Sequence, residues 1–320
     1  MELILIGGLF CTFVLATAIF LTIPFSSWLA SLVGAIDLPG KIKIHTQPTP
    51  RLGGLGILLA FAIALGGLFF FVTIPDEVYG KLVVLLTSLG FLAICGYLDD
   101  VYGLSAIVKF VAEEIVAIVF ISCVMGSETN WLILAIACFW IVGLINAYNF
   151  IDGMDGLAAG LASLNLFTLA ILLLLAGNNI FAMVSLTMAL ATCGFLRYNM
   201  PPATIFMGDT GSLSLGFLIS ALSCILIFDQ SYAFSSIVAV VLAAILPSGD
   251  LIATVFRRLI RGKSLFKGDR EHFYDILVDK VGLSRVNTVY LSLLVTFVFS
   301  SLGILIGTRE FLVKLGVGYF

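Results

Sequence analysis

The sequence predicts an all-α protein, a polytopic integral membrane bundle of about ten transmembrane helices. It forms a single domain over 1–320 with both termini outside. Three observations carry this expectation. The chain is 61% hydrophobic and only 11% charged, with a mean hydropathy of +1.18, whereas soluble domains are about half apolar and a quarter charged. Apolar runs recur at the length of about 20 residues that a bilayer requires. The cations gather on one side of those runs.

The runs fall near 3–24, 54–74, 80–98, 106–125, 131–147, 157–176, 180–198, 213–229, 233–256 and 288–307. The first lacks the basic flank of a signal peptide and is expected to be a retained helix. The loops fall near 25–53, 99–105, 148–156, 199–212 and 257–287 on one side and are too short on the other for a separate soluble domain. No tandem repeat interrupts the pattern. Six cysteines stand singly, without a Cys-x-x-Cys pair, so they are expected as small buried hydrophobes. The net charge of −3 says little about partners, because position matters more than sum.

Of sixteen lysines and arginines, thirteen fall in or beside the loops after odd-numbered runs. Only Lys81, Arg309 and Lys314 lie on the other side. The odd loops are therefore expected to be cytoplasmic.

The same loops hold the polar chemistry. The first, Asp37 to Gly54, mixes prolines and cations around His45, Arg51 and a glycine pair. It reads either as a solvated basic loop or as a cover for an anion. The third run ends in Asp99-Asp100, where the negative end of a helix dipole disfavours carboxylates. Asn at either position is expected to relieve that repulsion. Lys109 opens the next run and can pair with Glu113 at i, i+4 or face a phosphate. Glu113 and Glu114 read as structural.

The centre of the chain is Asn146-Ala-Tyr-Asn149-Phe-Ile-Asp152-Gly-Met-Asp155-Gly. Its carboxamides and carboxylates are spaced three apart, so they are expected on one face of a helical turn. Unpaired acids among residues this apolar need a proton, a cation or a metal. After the seventh run comes Arg197-Tyr-Asn199, then Phe206-Met-Gly-Asp209-Thr-Gly-Ser212, where Asp209 or Ser212 is expected to cap the next helix. The last loop, Arg257 to Arg285, is basic and contains Arg270-Glu-His272. On its own it reads as a membrane-surface segment.

The Asp99-Asp100, Asn146 to Leu157 and Phe206 to Leu213 motifs together resemble the polyprenyl-phosphate N-acetylhexosamine-1-phosphate transferases. The likeness covers nearly the whole chain in order and spacing. It implies attack of a polyprenyl phosphate on the β-phosphate of a UDP-amino sugar, releasing UMP. By resemblance, Asp209 is the Mg2+ ligand, with Asn149, and Mn2+ is a possible substitute. Asp99 and Asp100 position or deprotonate the lipid phosphate, and Lys109 clamps phosphate. Asp152, Asp155, Asn199 and Phe206 bind nucleotide, with Phe206 stacking on uracil. His45, Arg51, Arg270 and His272 complete the expected substrate contacts. Asp37-Leu-Pro, Pro-Arg51-x-Gly-Gly and the Arg-x-His start resemble the GlcNAc-1-phosphate branch, although Phe273, Tyr274 and Asp275 replace that branch's later histidines.

The expected partners are thus UDP-GlcNAc, undecaprenyl phosphate and membrane lipid. A homodimer is expected, nucleic acid is not, and the location implied is the bacterial inner membrane. Phospho-MurNAc-pentapeptide translocase is the alternative within the family. A transporter is the alternative outside it, but its sites belong near mid-membrane in paired half-repeats. A lipid-binding scaffold leaves the aspartate pairs unexplained.

Overall fold

The computed structural model describes residues 2–39, 47–125, 130–229, 234–264 and 270–314. These form thirteen α-helices and one two-residue strand pair, so the all-α expectation holds. A π-turn at Ala18–Thr22 joins α1 (Glu2–Thr17) to α2 (Ile23–Val33), and together they make one long apolar stretch. The strands Ile36–Asp37 and Thr49–Pro50 pair antiparallel and deliver Arg51 to the start of α3 (Gly53–Phe71). There follow α4 (Asp76–Tyr102), α5 (Ala106–Met125), α6 (Trp131–Ile151), α7 (Leu157–Leu175), α8 (Asn179–Asn199) and α9 (Gly208–Asp229). Helices α10 (Phe234–Ala243), α11 (Ile245–Ile260), α12 (Phe273–Asp279) and α13 (Arg285–Lys314) complete the chain.

Eight helical stretches are long and apolar enough to cross a membrane, and the α10–α11 pair adds a ninth if counted as one span. At 20 residues α5 has the length of a span but holds three charges, Lys109, Glu113 and Glu114. With it, the described helices reach the expected ten.

Several boundaries differ from expectation: α4 runs to Tyr102, α6 to Ile151 and α13 to Lys314, and three further differences reshape the bundle. The first helical stretch runs on to Val33, which shortens the 25–53 loop. The ninth span is broken by a 74° bend at Ala244, and α11 continues to Ile260. Pro247 sits in the first turn of α11, where its missing N–H leaves no helical bond unmade. Finally, α9 begins at Gly208 rather than 213, which brings Asp209 inside the helix.

Helix α9 is the axis of the bundle. Every residue from Thr210 to Leu226 is buried, as expected of a helix that is apolar or small on all sides. Small residues let its neighbours close in: a Cβ on Gly216 would stand 2.7 Å from the Ile145 Cα of α6. Helix α4 runs antiparallel to α9. Lys81 pairs with Asp229 at 2.6 Å at one end, and Asp100 meets Asp209 and Thr210 at the other. The acids at the second end are therefore brought together by the packing of the whole bundle.

Candidate active site

The site is built around the first turn of α9. Its cap comes from another helix. Asp100 of α4, 5% exposed, accepts the Asp209 N–H at 2.9 Å through one oxygen. Its other oxygen accepts the Thr210 N–H at 2.9 Å and the Thr210 hydroxyl at 2.6 Å. This replaces the expected cap by Asp209 or Ser212. It also corrects the reading of Asp100 as badly placed on its helix. The carboxylate near the negative end of α4 lies at the positive end of α9, where it is stabilised.

Two glycines make this meeting possible. A Cβ on Gly96 would lie 2.5 Å from the Thr210 nitrogen, so α4 touches the α9 backbone there. Gly208 has φ +72, and a Cβ on it would stand 2.6 Å from both Asp100 oxygens. The loop before it is fixed by α3 and the strand pair: the Gly53 N–H donates to Phe206 O, and the Phe206 N–H to Pro50 O. Arg51, next along, donates to Asp100 at 3.3 Å.

With its backbone held by Asp100, Asp209 turns its own carboxylate to Lys109, whose ammonium lies 2.6 Å away. The same ammonium is 3.3 Å from Asp99, whose second oxygen accepts the Leu104 N–H at 2.8 Å. Lys109 thus bridges two acids. Glu113, the other partner considered for it, is 2% exposed and accepts from Asn146 at 2.5 Å. Asp99, Asp100 and Asp209 each offer an oxygen such that all three lie within 4.8 Å of one another.

The 146–156 stretch does not present one polar face. Helix α6 stops at Ile151, and each side chain then takes a separate task. Asn149 donates to Ser212 at 3.1 Å, one turn along α9 from Asp209. Asp152, half-buried, ends α6. Burial raises its carboxyl well above the usual carboxylate range, and the charges of Asp209 and Asp100 add to the effect. Asp155 accepts the Ala203 N–H at 3.0 Å. Buried Asn199 accepts the Gly156 N–H and donates to Ile205 O, both at 2.9 Å. Asp155 and Asn199, expected as nucleotide contacts, clasp the 152–156 and 200–206 loops together. Phe206 is half-buried beside them.

Of the last-loop residues, Arg270 is exposed and 3.8 Å from Asp275. His272 is buried, with Nδ1 2.6 Å from Asp250. His45 lies outside the described residues. Sequence reasoning missed Asp250 and Arg258, both buried on α11. Arg258 sits over the Phe150 ring at 5.2 Å. The signal was available in part: each is a charge at the edge of an apolar run, where an unpartnered ion is costly.

Fold and site together define a polytopic helical membrane protein with an acidic, lysine-bridged centre at one end of its most buried helix. Residues 82–227 match the glycosyl transferase family 4 model. The chain is 33% identical over 300 residues to a Bacillus subtilis protein named "probable undecaprenyl-phosphate N-acetylglucosaminyl 1-phosphate transferase", covering 89% of this chain and 81% of that one. It is 30% identical over 301 residues to a Mycobacterium tuberculosis decaprenyl-phosphate N-acetylglucosaminephosphotransferase, covering 82% and 73%. A Staphylococcus aureus phospho-N-acetylmuramoyl-pentapeptide-transferase is 30% identical over 287 residues, covering 82% and 86%. The chain belongs to this family, the polyprenyl-phosphate hexosamine-1-phosphate transferases.

Proposed function

We propose that the protein transfers GlcNAc-1-phosphate from UDP-GlcNAc to undecaprenyl phosphate, releasing UMP, at the cytoplasmic face of the bacterial inner membrane. The reaction starts a lipid-linked glycan. The observation that carries this reading is the cluster of Asp99 and Asp100 of α4 and Lys109 of α5 around Asp209 in the first turn of α9. The names of the Bacillus and Mycobacterium relatives support the GlcNAc donor. The excess of lysine and arginine in the loops on the same side as the cluster supports the cytoplasmic face.

The donor set fits magnesium, which favours carboxylate oxygens together with substrate phosphates. Asp209 is the ligand the geometry offers first, since both Asp100 oxygens accept hydrogen bonds from α9 and the two Asp99 oxygens are taken by the Leu104 N–H and Lys109. Asn149 gives its nitrogen to Ser212 and has its carbonyl oxygen to contribute. When bound, the cation would offset the charge of the meeting phosphates and polarise the β-phosphorus.

The protein's own groups do the remaining work. Lys109 grips a phosphate oxygen, and Asp100 with Arg51 keeps the α9 terminus rigid for in-line attack. A lipid phosphate oxygen forms the new bond to the β-phosphorus. The bond from that phosphorus to its bridging oxygen breaks, and the oxygen leaves with UMP. The attacking monoester is already largely ionised near neutral pH, so a strong base is unnecessary and a single displacement suffices.

The test is UMP release by purified protein given UDP-GlcNAc and undecaprenyl phosphate, with magnesium, with manganese and with chelator. Release that depends on both lipid and metal is expected. Release without lipid, or full activity in chelator, overturns the reading. Preference for UDP-MurNAc-pentapeptide overturns the donor assignment while leaving the reaction class.

A further inference from the structure

Two polar residues one turn deeper in the bundle than the centre have no task in the reaction. Glu113 follows Lys109 by four residues on α5 and is 2% exposed. Asn146 precedes Asn149 by three on α6. The Asn146 amide gives one hydrogen to Val142 O of its own helix at 2.9 Å and the other to Glu113 at 2.5 Å. The bond within α6 fixes the plane of the amide, so the bond to Glu113 has a set direction. Helix α5 itself lies at the edge of the bundle. Ile107, Val111, Ile115 and Ile118 are exposed on its outer face, and it packs chiefly on α4 and α6. From there Lys109 reaches Asp209 of α9 at 2.6 Å.

We propose that Glu113 is a positioning residue for the transfer reaction: its bond to Asn146 sets the rotation and depth of α5 on α6, and so holds Lys109 where it bridges Asp99 and Asp209 and grips a phosphate. The proposal rests on the transferase reading above. Apolar packing in lipid is weakly directional, and hydrogen bonds between helices supply the direction it lacks. The lever is short, since four residues of helix span about 6 Å. A rotation of about 10° would carry a side-chain tip about 6 Å from the axis of α5 through about 1 Å. A misplacement of that size costs about a hundredfold where geometry controls the rate. Stability alone does not call for the pair. A carboxyl within an apolar span is costly, and apolar groups of matching shape replace a buried bonded pair at little loss.

Three changes separate this role from a merely structural tie. Glu113→Gln keeps an acceptor for Asn146 without a charge, so kcat/KM for UDP-GlcNAc is expected to stay within about threefold of the wild type. Glu113→Met removes the acceptor but leaves Asn146 its bond to Val142, and a fall of about tenfold to a hundredfold is expected. The apolar pair Glu113→Met with Asn146→Leu should fall as far, with a thermal midpoint level with the wild type or above it. In a Lys109→Met background, Glu113→Met should cost nothing further, because the group it positions is gone. Wild-type kcat/KM in the apolar pair, a Glu113→Gln loss as large as that of Glu113→Met, or a full further loss in the Lys109→Met background overturns the proposal. Should Glu113→Met not fold, the apolar pair carries the same comparison.

15N spectra of the lysine ammonium groups, assigned by Lys109→Met, give a readout that needs no turnover. The Lys109 signal should keep its ion-paired position in Glu113→Gln and move to that of a solvated lysine in Glu113→Met. An unmoved signal in Glu113→Met overturns the proposal whether or not the protein uses UDP-GlcNAc. Failure of the wild type to turn over UDP-GlcNAc is a failure of the function reading instead, and the spectra then still decide this one.

Discussion

Replacing Asp100 by Asn is expected to destabilise the protein, although two adjacent aspartates at a helix end suggest the opposite. The carboxylate uses both oxygens on α9, taking the Asp209 N–H with one and the Thr210 N–H and hydroxyl with the other. An Asn amide offers one oxygen, so whichever way it turns, its NH2 faces a backbone N–H. One buried donor is left unmade, which costs about 1–3 kcal/mol. The negative charge at the α9 terminus is lost as well, at about 0.3–1 kcal/mol and up to about 2 where partly buried. The two together come to about 1–4 kcal/mol, and up to about 5 with the larger dipole contribution. Asp99→Asn is the control. Asp99 lies beside Asp209 with Lys109 between them, so its removal relieves like-charge repulsion and should leave the midpoint level or higher. Thermal unfolding in detergent, followed by circular dichroism, compares the two directly. An Asp100→Asn protein that melts with the wild type would refute the capping argument, whatever its turnover.

Asp209→Ala should cut transfer by about a thousandfold or more while the protein stays folded, since it removes the carboxylate nearest Lys109; near-normal turnover in magnesium would remove Asp209 from the metal site. Gly96→Ala should cost both stability and turnover, because the new methyl would stand 2.5 Å from the Thr210 nitrogen and push α4 off α9; an unchanged midpoint would show that the helices are less tightly joined. Asp152 holds its proton more firmly when folded than unfolded, so its contribution is complete below about pH 4 and is lost as the pH rises through the raised native value. Asp152→Asn should therefore raise the midpoint at pH 7 and not at pH 4, and an equal shift at both would contradict this.

The spans were legible because hydropathy and charge asymmetry are summed over many residues, so single exceptions do not matter. The bend at Ala244 was not, since α10 and α11 share one apolar run and Pro247 is tolerated in a first turn as readily as it marks a break. Asp99, Lys109 and Asp209 were legible as a set through their motifs, and the helices do bring them within reach of one another. The part played by Asp100 was not, because it depends on which helix start lies across from it. Spacing within α4 says nothing of α9. The loop contacts of Asn199 and Asp155 were not legible either, for a related reason. A polar residue in a glycine-rich loop can serve the ligand or the loop, and only the partners tell the two apart. Asp250 was missed because it stands alone, and its meaning comes from a histidine 22 residues away.

The charges explain why the centre is assembled from so many separate helices. Three carboxylates, on α4 and α9, face two cations, Lys109 and Arg51, which leaves one negative charge where two phosphate groups must come together. Such a group of acids would repel itself and its substrate if placed on one flexible loop. Here each acid is constrained by a different partner: Asp99 by Leu104 N–H, Asp100 by the α9 backbone, Asp209 by Lys109. The scaffold that supplies these restraints is the buried α9 and the helices closed against it through glycine. On the proposed reading, a divalent cation bound here would relieve the repulsion held in this way, so that energy of folding would be converted into affinity for the ion and, through it, for the phosphates. Because the two ends of α4 are both tied to α9, a change at Lys81 or Asp229 on the far side acts on the site only by shifting one helix along the other. The glycine contact at Gly96 resists that shift, which makes the packing of α4 on α9 the feature on which the chemistry most depends.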